Sequence, residues 1–240
     1  GAVHANDTGE LVGFYLSDSG RGLVNDMTRF VDIATFRAAA DVAGAYALFT
    51  LDPVKLWDED IDATGNAGDN TLAGNRGHNR LAGGGGQDVL LGEAGDDVLD
   101  GGAGDDTLAG GTGNDTYRFG LGGGHDRVVQ ADARLQDHDV LQLGAGIDFT
   151  RLWFSRSGND LAIDIRASTD RVTMADWFTD EARRVDQIRT SDGWSLAQRD
   201  VQQLVDAMAA FAPADAVEAR IDARELAMLA PVLAASWQAG

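Results

Sequence analysis

The chain has 240 residues, 39 of them acidic and 19 basic, for a formal charge of −20, and it contains no cysteine. Nucleic acids and anionic membranes are gripped by clustered Lys and Arg, so this balance excludes both as electrostatic partners. Cations remain natural partners, and a metal is the obvious staple for a secreted domain without disulfides. An apolar share of 44 % suffices for a core, and no apolar run is long enough to span a membrane. The sequence opens Gly1-Ala2-Val3, with no Met, basic n-region or apolar h-region. A Sec-type signal is therefore not expected, and the segment reads as the tail of a longer protein.

Residues 1–60 read as a small α+β segment. Val3-His4-Ala5 and Leu11–Leu16 flank the polar turn Asn6-Asp7-Thr8-Gly9, the pattern of a hairpin with His4 at its surface. Phe30-Val31 fits a strand, Asp32 caps a helix over 33–42, and Ala45–Thr50 fits another strand. Asp52-Pro53 reads as a turn that ends this strand.

Of the 31 glycines, sixteen lie between Gly65 and Arg118, where the chain divides into six blocks of nine. The blocks are GNAGDNTLA, GNRGHNRLA, GGGGQDVLL, GEAGDDVLD, GGAGDDTLA and GGTGNDTYR. Positions one and four are always Gly, and position six is Asn70, Asn79, Asp88, Asp97, Asp106 or Asp115. Position eight is Leu72, Leu81, Leu90, Leu99, Leu108 or Tyr117. A flexible Gly-Asp linker shares this composition but has no reason to keep an apolar residue at every ninth position. The expected unit is a six-residue Gly turn followed by three strand residues, of which only the middle one points inward. Two blocks make a coil, so Leu72, Leu90 and Leu108 line one sheet and face Leu81, Leu99 and Tyr117 on the other.

Stacking the coils sets Asp88 over Asp106 and Asp97 over Asp115. Their repulsion, added to the entropy of ordering so many glycines, exceeds what one apolar residue per block offsets. A hard divalent cation held by two carboxylates and backbone carbonyls of the Gly turns resolves this. All-oxygen, adaptable loops favour Ca²⁺ over the stiffly octahedral Mg²⁺, and the N and S ligands of Zn²⁺ are missing. Folding and several Ca²⁺ ions are then one event. The expected ligand set is Asn70, Asn79, Gly83, Gly85, Asp88, Gly92, Gly95, Asp97, Gly101, Gly104, Asp106, Gly110, Gly113, Asp115, Gly122, Gly124 and Asp126. The uncharged Asn70 and Asn79 make the first two sites weaker or empty, a solvated starting cap. Gly120-Leu121-Gly122-Gly123-Gly124-His125-Asp126 breaks the spacing but keeps Gly124 and Asp126 in relation, closing the last site.

From Tyr117 to about Asp200 aromatic and apolar residues return and Gly thins out. Short strands are expected at Val128-Val129, Val140–Leu143, Leu152–Phe154, Leu161–Ile165 and Val172–Met174, with turns at Ser157–Asp160 and Ser191–Gly193. Trp153, Phe154, Trp177 and Phe178 supply the bulk of a core. His125 and Asp137-His138-Asp139 lack the further ligands a zinc site needs, and a strand-edge or loop role is expected. Gly83–Gly86 is not followed by Lys-Ser/Thr, which excludes a phosphate loop. Val201, Leu204, Val205, Met208 and Phe211 share one helical face that ends at Pro213. A second helix runs from a cap at Asp222 to about Trp237, with Leu226, Leu229, Val232 and Leu233 on one side and a kink at Pro231.

The nonapeptide blocks match GGxGxDxUx and resemble the calcium-binding β-roll of RTX (repeats-in-toxin, haemolysin-type) proteins. From Gly65 to Gly240 the likeness is continuous, with LWFSRSGNDLAIDI and DRVTMADWF most similar to the last RTX block of adenylate cyclase toxin-haemolysins. The resemblance implies a mostly β fold: a parallel β-roll over 61–130, a C-terminal β cap over 131–200 and helices over 201–240. It implies that the cap nucleates folding and that the lysine-free tail is an uncleaved type I secretion signal read by an ABC transporter. It further implies secretion from a bacterium to the exterior or cell surface, as a monomer. Gly13–Gly20 followed by Phe30–Phe36 resembles the end of a papain-like cysteine peptidase domain, with Asp18 at the triad acid. The chain has no cysteine nucleophile, so it is expected to be no enzyme itself. Its parent is then a toxin, a secreted hydrolase or a surface adhesin.

Overall fold

A computed structural model describes residues 60, 62–130, 137–211 and 223–239, with the backbone alone for 2–5, 11–14, 48–49 and 223–226. The first strands are β1 (Ala2–Ala5), β2 (Leu11–Phe14) and β3 (Leu48–Phe49). Strands β4 (Asp62–Thr64), β5 (Thr71–Ala73), β6 (Arg80–Gly85), β7 (Val89–Ala94), β8 (Val98–Ala103), β9 (Thr107–Thr112) and β10 (Thr116–Phe119) carry the repeats. Then come β11 (His125–Val128), β12 (Val140–Leu143), β13 (Leu152–Ser157), β14 (Asp160–Ile165) and β15 (Arg171–Met174). The chain closes with β16 (Gln187–Arg189), β17 (Trp194–Ala197), α1 (Gln198–Ala209), α2 (Ala223–Ser236) and β18 (Trp237–Ala239).

Alternate strands fall in alternate sheets, as a two-block coil requires. One sheet runs β13-β14-β15-β11-β9-β7-β5-β3-β1-β2, the other β18-β17-β16-β12-β10-β8-β6-β4. Repeat strands pair in parallel at a step of eighteen residues: Leu72 with Leu90, Leu90 with Leu108, Leu81 with Leu99. Two sheets with facing Leu columns follow from the nine-residue spacing, and the fold is the expected parallel β-roll. In the second sheet the inner column is unbroken from Ala63 through Leu81, Leu99, Tyr117, Leu141, Ile188 and Leu196 to Trp237. All eight are at most 2 % exposed.

One correction concerns strand length. Strands β6 to β9 are six residues long, because the parallel pairing continues into positions one to three of the next block. The turn proper shrinks to positions four to six. Gly83, Gly92, Gly101 and Gly110 therefore face inward, each buried.

The pairing also runs past residue 130. β12 pairs in parallel with β10, and β16 in parallel with β12, while β13, β14 and β15 form an antiparallel edge to the first sheet. Phe154 and Trp177 are fully buried, whereas Trp153 and Phe178 pack partly exposed against the core. α1 starts three residues earlier than its apolar face and buries Val201, Leu204, Val205 and Met208. α2 contains Pro231 and buries Leu229 and Leu233, but Trp237 is not its last residue: it leaves the helix to pair with Leu196 in β18. Among the described residues no helix is long and apolar enough to cross a membrane. The β1–β2 hairpin pairs Val3 with Phe14, and β3 lies within the expected 45–50 strand. The expected strand at 30–31, the helix at 33–42, Asp18, Asp52-Pro53, Pro213 and Asp222 lie outside the described residues.

Candidate metal centre

Each position six sits at the end of a turn, where its side chain folds back under the neighbouring coil. The first carboxylate oxygen has a fixed task. Asp88 Oδ1 accepts from the Asn70 N–H at 2.7 Å, and Asp106 Oδ1 accepts from the Asp88 N–H at 2.7 Å. On the other side Asp97 Oδ1 accepts from the Asn79 N–H at 2.7 Å and Asp115 Oδ1 from the Asp97 N–H at 2.9 Å. Two ladders result, each satisfying turn amides that no sheet partner reaches.

The second oxygen has none. Oδ2 of Asp88, Asp97, Asp106 and Asp115 is buried and accepts no hydrogen bond, although each residue is at most 1 % exposed. A buried, unpaired carboxylate oxygen costs several kcal/mol as an anion, so a counter-charge is required. These oxygens point at position one of their own block. A methyl built on Gly83, Gly92, Gly101 or Gly110 would collide with Oδ2 of Asp88, Asp97, Asp106 or Asp115 respectively. At Gly83 and Gly92 the same space is faced by the carbonyl oxygens of Gly101 and Gly110 from the next coil. The cradle is thus lined by carboxylate and carbonyl oxygens and kept open by the missing side chain. Among the described residues no three His, Cys, Asp or Glu side chains converge, so a cation here leans on backbone oxygens. That is a donor set for Ca²⁺.

The electrostatics agree. Burial is the largest cause raising the carboxyls of Asp97 and Asp126 to about 8, Asp115 to about 7, and Asp88 to about 6, with Asp106 raised as well. The backbone N–H each accepts pulls the other way, and the stacked carboxylate adds repulsion for four of them: Asp106 for Asp88, Asp115 for Asp97, Asp139 for Asp115 and Asp106 for Asp126. Metal-free, each of these acids ionises less readily than an exposed carboxyl.

Comparison with known families decides what such turns are. A model of the RTX calcium-binding nonapeptide repeat matches residues 64–99, 82–117 and 91–128. Residues 64–128 are RTX calcium-binding repeats. They bind Ca²⁺, and the buried aspartates fit the calcium-binding turns. A model of the haemolysin-type calcium binding protein related domain matches residues 160–199. Among solved structures, the AlgE6R3 subunit from the Azotobacter vinelandii mannuronan C5-epimerase is 27% identical at a TM-score of 0.28, over 71% of this chain and 91% of that one.

Within the RTX repeats the six blocks are not equivalent. In the first two, the side-chain oxygen of Asn70 accepts from Asn66 N–H at 2.7 Å and that of Asn79 from Asn75 N–H at 2.8 Å. Asn79 Nδ2 donates back to Asn75 Oδ1 at 3.0 Å. Gly65 and Gly74 are half-buried rather than buried. In the later blocks position four turns left-handed: Gly104, at φ 141°, presses on the Gly86 carbonyl of the coil before, where no Cβ fits. Gly95, Gly113 and Gly124 meet Gly77, Gly95 and Gly104 in the same way. Gly85 N–H donates to Asn66 O at 2.8 Å, tying position three to the coil before.

Asp126 continues the first ladder, accepting from Asp106 N–H at 3.2 Å, and Gly122 and Gly124 donate their N–H groups to Asp170 at 3.0 and 3.2 Å. Two ladder members escaped the sequence reading. Asp139, expected in a loop or strand-edge role, accepts from Asp115 N–H at 2.8 Å, and Asp186 accepts from Asp139 N–H at 3.0 Å. The signal was present as Asp-x-apolar: Asp139-Val140-Leu141 repeats Asp97-Val98-Leu99, and Asp186-Gln187-Ile188 follows it.

Proposed function

We propose that this chain is the calcium-switched folding and secretion module of a type I-secreted bacterial RTX protein. The four buried Oδ2 atoms without a protein partner carry this reading. Asp88, Asp97, Asp106 and Asp115 hold the ions, joined by carbonyl oxygens of the turn glycines, with Asp126 closing the first column. The asparagines of the first two blocks leave those turns weak in calcium. Residues 61–130 act as the roll, 131–200 as its cap and 201–240 as the secretion signal, following a 1–60 segment from an upstream domain. The likeness of 152–178 to the last RTX block of adenylate cyclase toxin-haemolysins supports the cap.

The mechanism is a compartment switch. At cytosolic calcium the charged turns repel and the repeats stay unfolded, in a form a narrow ABC-transporter channel can pass. Outside, millimolar calcium exceeds the ~10⁻⁴–10⁻³ M Kd of extracellular modules. Filling then drives folding, because binding and order are one equilibrium. A far-UV circular dichroism titration with CaCl₂ and with MgCl₂ tests this. The expected result is a cooperative gain of β signal with calcium alone. A spectrum already folded in chelator, or an equal response to magnesium, contradicts it.

A further inference from the structure

The two ladders do not end as they run. In the second sheet the column continues past Asp115 to Asp139 and Asp186, and there the orphaned oxygen disappears. Asp139, 2 % exposed, receives Gln130 Nε2–H on its Oδ2 at 2.6 Å. Gln130 is 2 % exposed too, and its Oε1 accepts the Tyr117 hydroxyl hydrogen at 3.2 Å. The same hydroxyl accepts from Gly110 N–H at 2.9 Å. Asp186 differs: it is half-buried, with Oδ2 taken by Asp139 N–H, Oδ1 by Gln198 Nε2–H at 3.1 Å, and His138 Nδ1 3.9 Å from Oδ1.

We propose that Gln130 stands in for the cation at Asp139, so that the calcium column of this sheet ends at Asp115. A carboxamide donates through its NH₂ and accepts through its oxygen, so one Gln both caps a carboxylate and anchors itself. This explains the one departure at position eight. Tyr117 replaces the Leu of the other blocks because only a hydroxyl there reaches Gly110 N–H and Gln130 Oε1 together. A fully satisfied buried network is stable without the ion, whereas a half-satisfied one is not. The inference rests on the reading of the four free Oδ2 atoms as calcium ligands.

Three variants of the full chain test it, each followed by the calcium midpoint of the circular dichroism transition and by bound calcium in equilibrium dialysis. Asp115→Asn removes an orphaned oxygen and raises the midpoint roughly tenfold, with fewer ions bound. Asp139→Asn keeps an oxygen for Asp115 N–H and shifts the midpoint by less than about twofold, with the ion count unchanged. Gln130→Glu sets a second carboxylate against Asp139 and raises the calcium requirement. An Asp139→Asn chain that matches Asp115→Asn, or a Gln130→Glu chain indistinguishable from the parent, overturns the substitution of amide for ion. An Asp115→Asn chain with an unchanged midpoint instead overturns the calcium reading of the ladder itself.

Discussion

The two oxygens of a position-six carboxylate have different fates, and the difference sets the chemistry. Oδ1 is consumed by a turn amide; Oδ2 is buried with nothing to accept from in Asp88, Asp97, Asp106 and Asp115. Burial raises these carboxyls to between about 6 and about 8 where a value is resolved, above the ordinary 3.8. A group whose pKa is raised by folding stabilises the fold fully below its unfolded pKa and loses that contribution as pH rises through the folded one. In chelator the chain therefore gains β signal as pH falls from about 8 to about 4, read by circular dichroism. With calcium present the sign reverses: protons compete with the ion, and the calcium midpoint rises over the same acidification. A second residue-scale strain lies at Glu93, whose φ of 79° matches a position filled by glycine at Gly84, Gly102 and Gly111. Glu93→Gly is expected to stabilise the calcium-bound fold by about 0.5–1 kcal/mol, measured by urea unfolding, after the added glycine entropy is subtracted.

At the scale of the element, the turns sort into two kinds. Turns with Asn at position six saturate themselves through Asn66 and Asn75; turns with Asp do not. Asp106→Asn is expected to raise the calcium midpoint roughly tenfold, while Asn79→Ala costs only local stability and leaves the midpoint nearly fixed. Equal shifts in a calcium titration would erase the distinction. The roll was legible in the sequence because a nine-residue period can only stack at eighteen, which pairs Leu72 with Leu90 and Leu81 with Leu99. Asp139 and Asp186 were not, because their steps from the preceding ladder member are 24 and 47 residues. The second step encloses the β13–β14 hairpin, so no fixed period survives; only the local Asp-x-apolar pattern does. The position-one glycines were expected as ligands, but their inward orientation was not legible, for another reason. Their burial comes from an adjacent carboxylate rather than from apolarity, and hydropathy does not register it.

At the scale of the molecule, the proposed switch requires that a roll with one apolar residue per block be marginal without its ions. Each site filled at about ten times its Kd adds about 1.4 kcal/mol, so four add about 6 kcal/mol. That is comparable to the whole stability of an ordinary domain, about 5–15 kcal/mol. The ends differ from the middle: asparagines occupy the first turn of each column, and Gln130 meets the second column at Asp139. Calcium dependence should therefore concentrate over residues 83–118. Amide hydrogen exchange resolved along the chain tests this most directly. The reporters are the N–H groups of Val89, Val98, Thr107 and Thr116, which donate across coils to Asn70, Asn79, Asp88 and Asp97 carbonyls at 2.7–2.9 Å. They are predicted to exchange freely in chelator and to become strongly protected in millimolar calcium. Equal protection in both conditions would mean that the roll folds on its own, and that calcium does not control it.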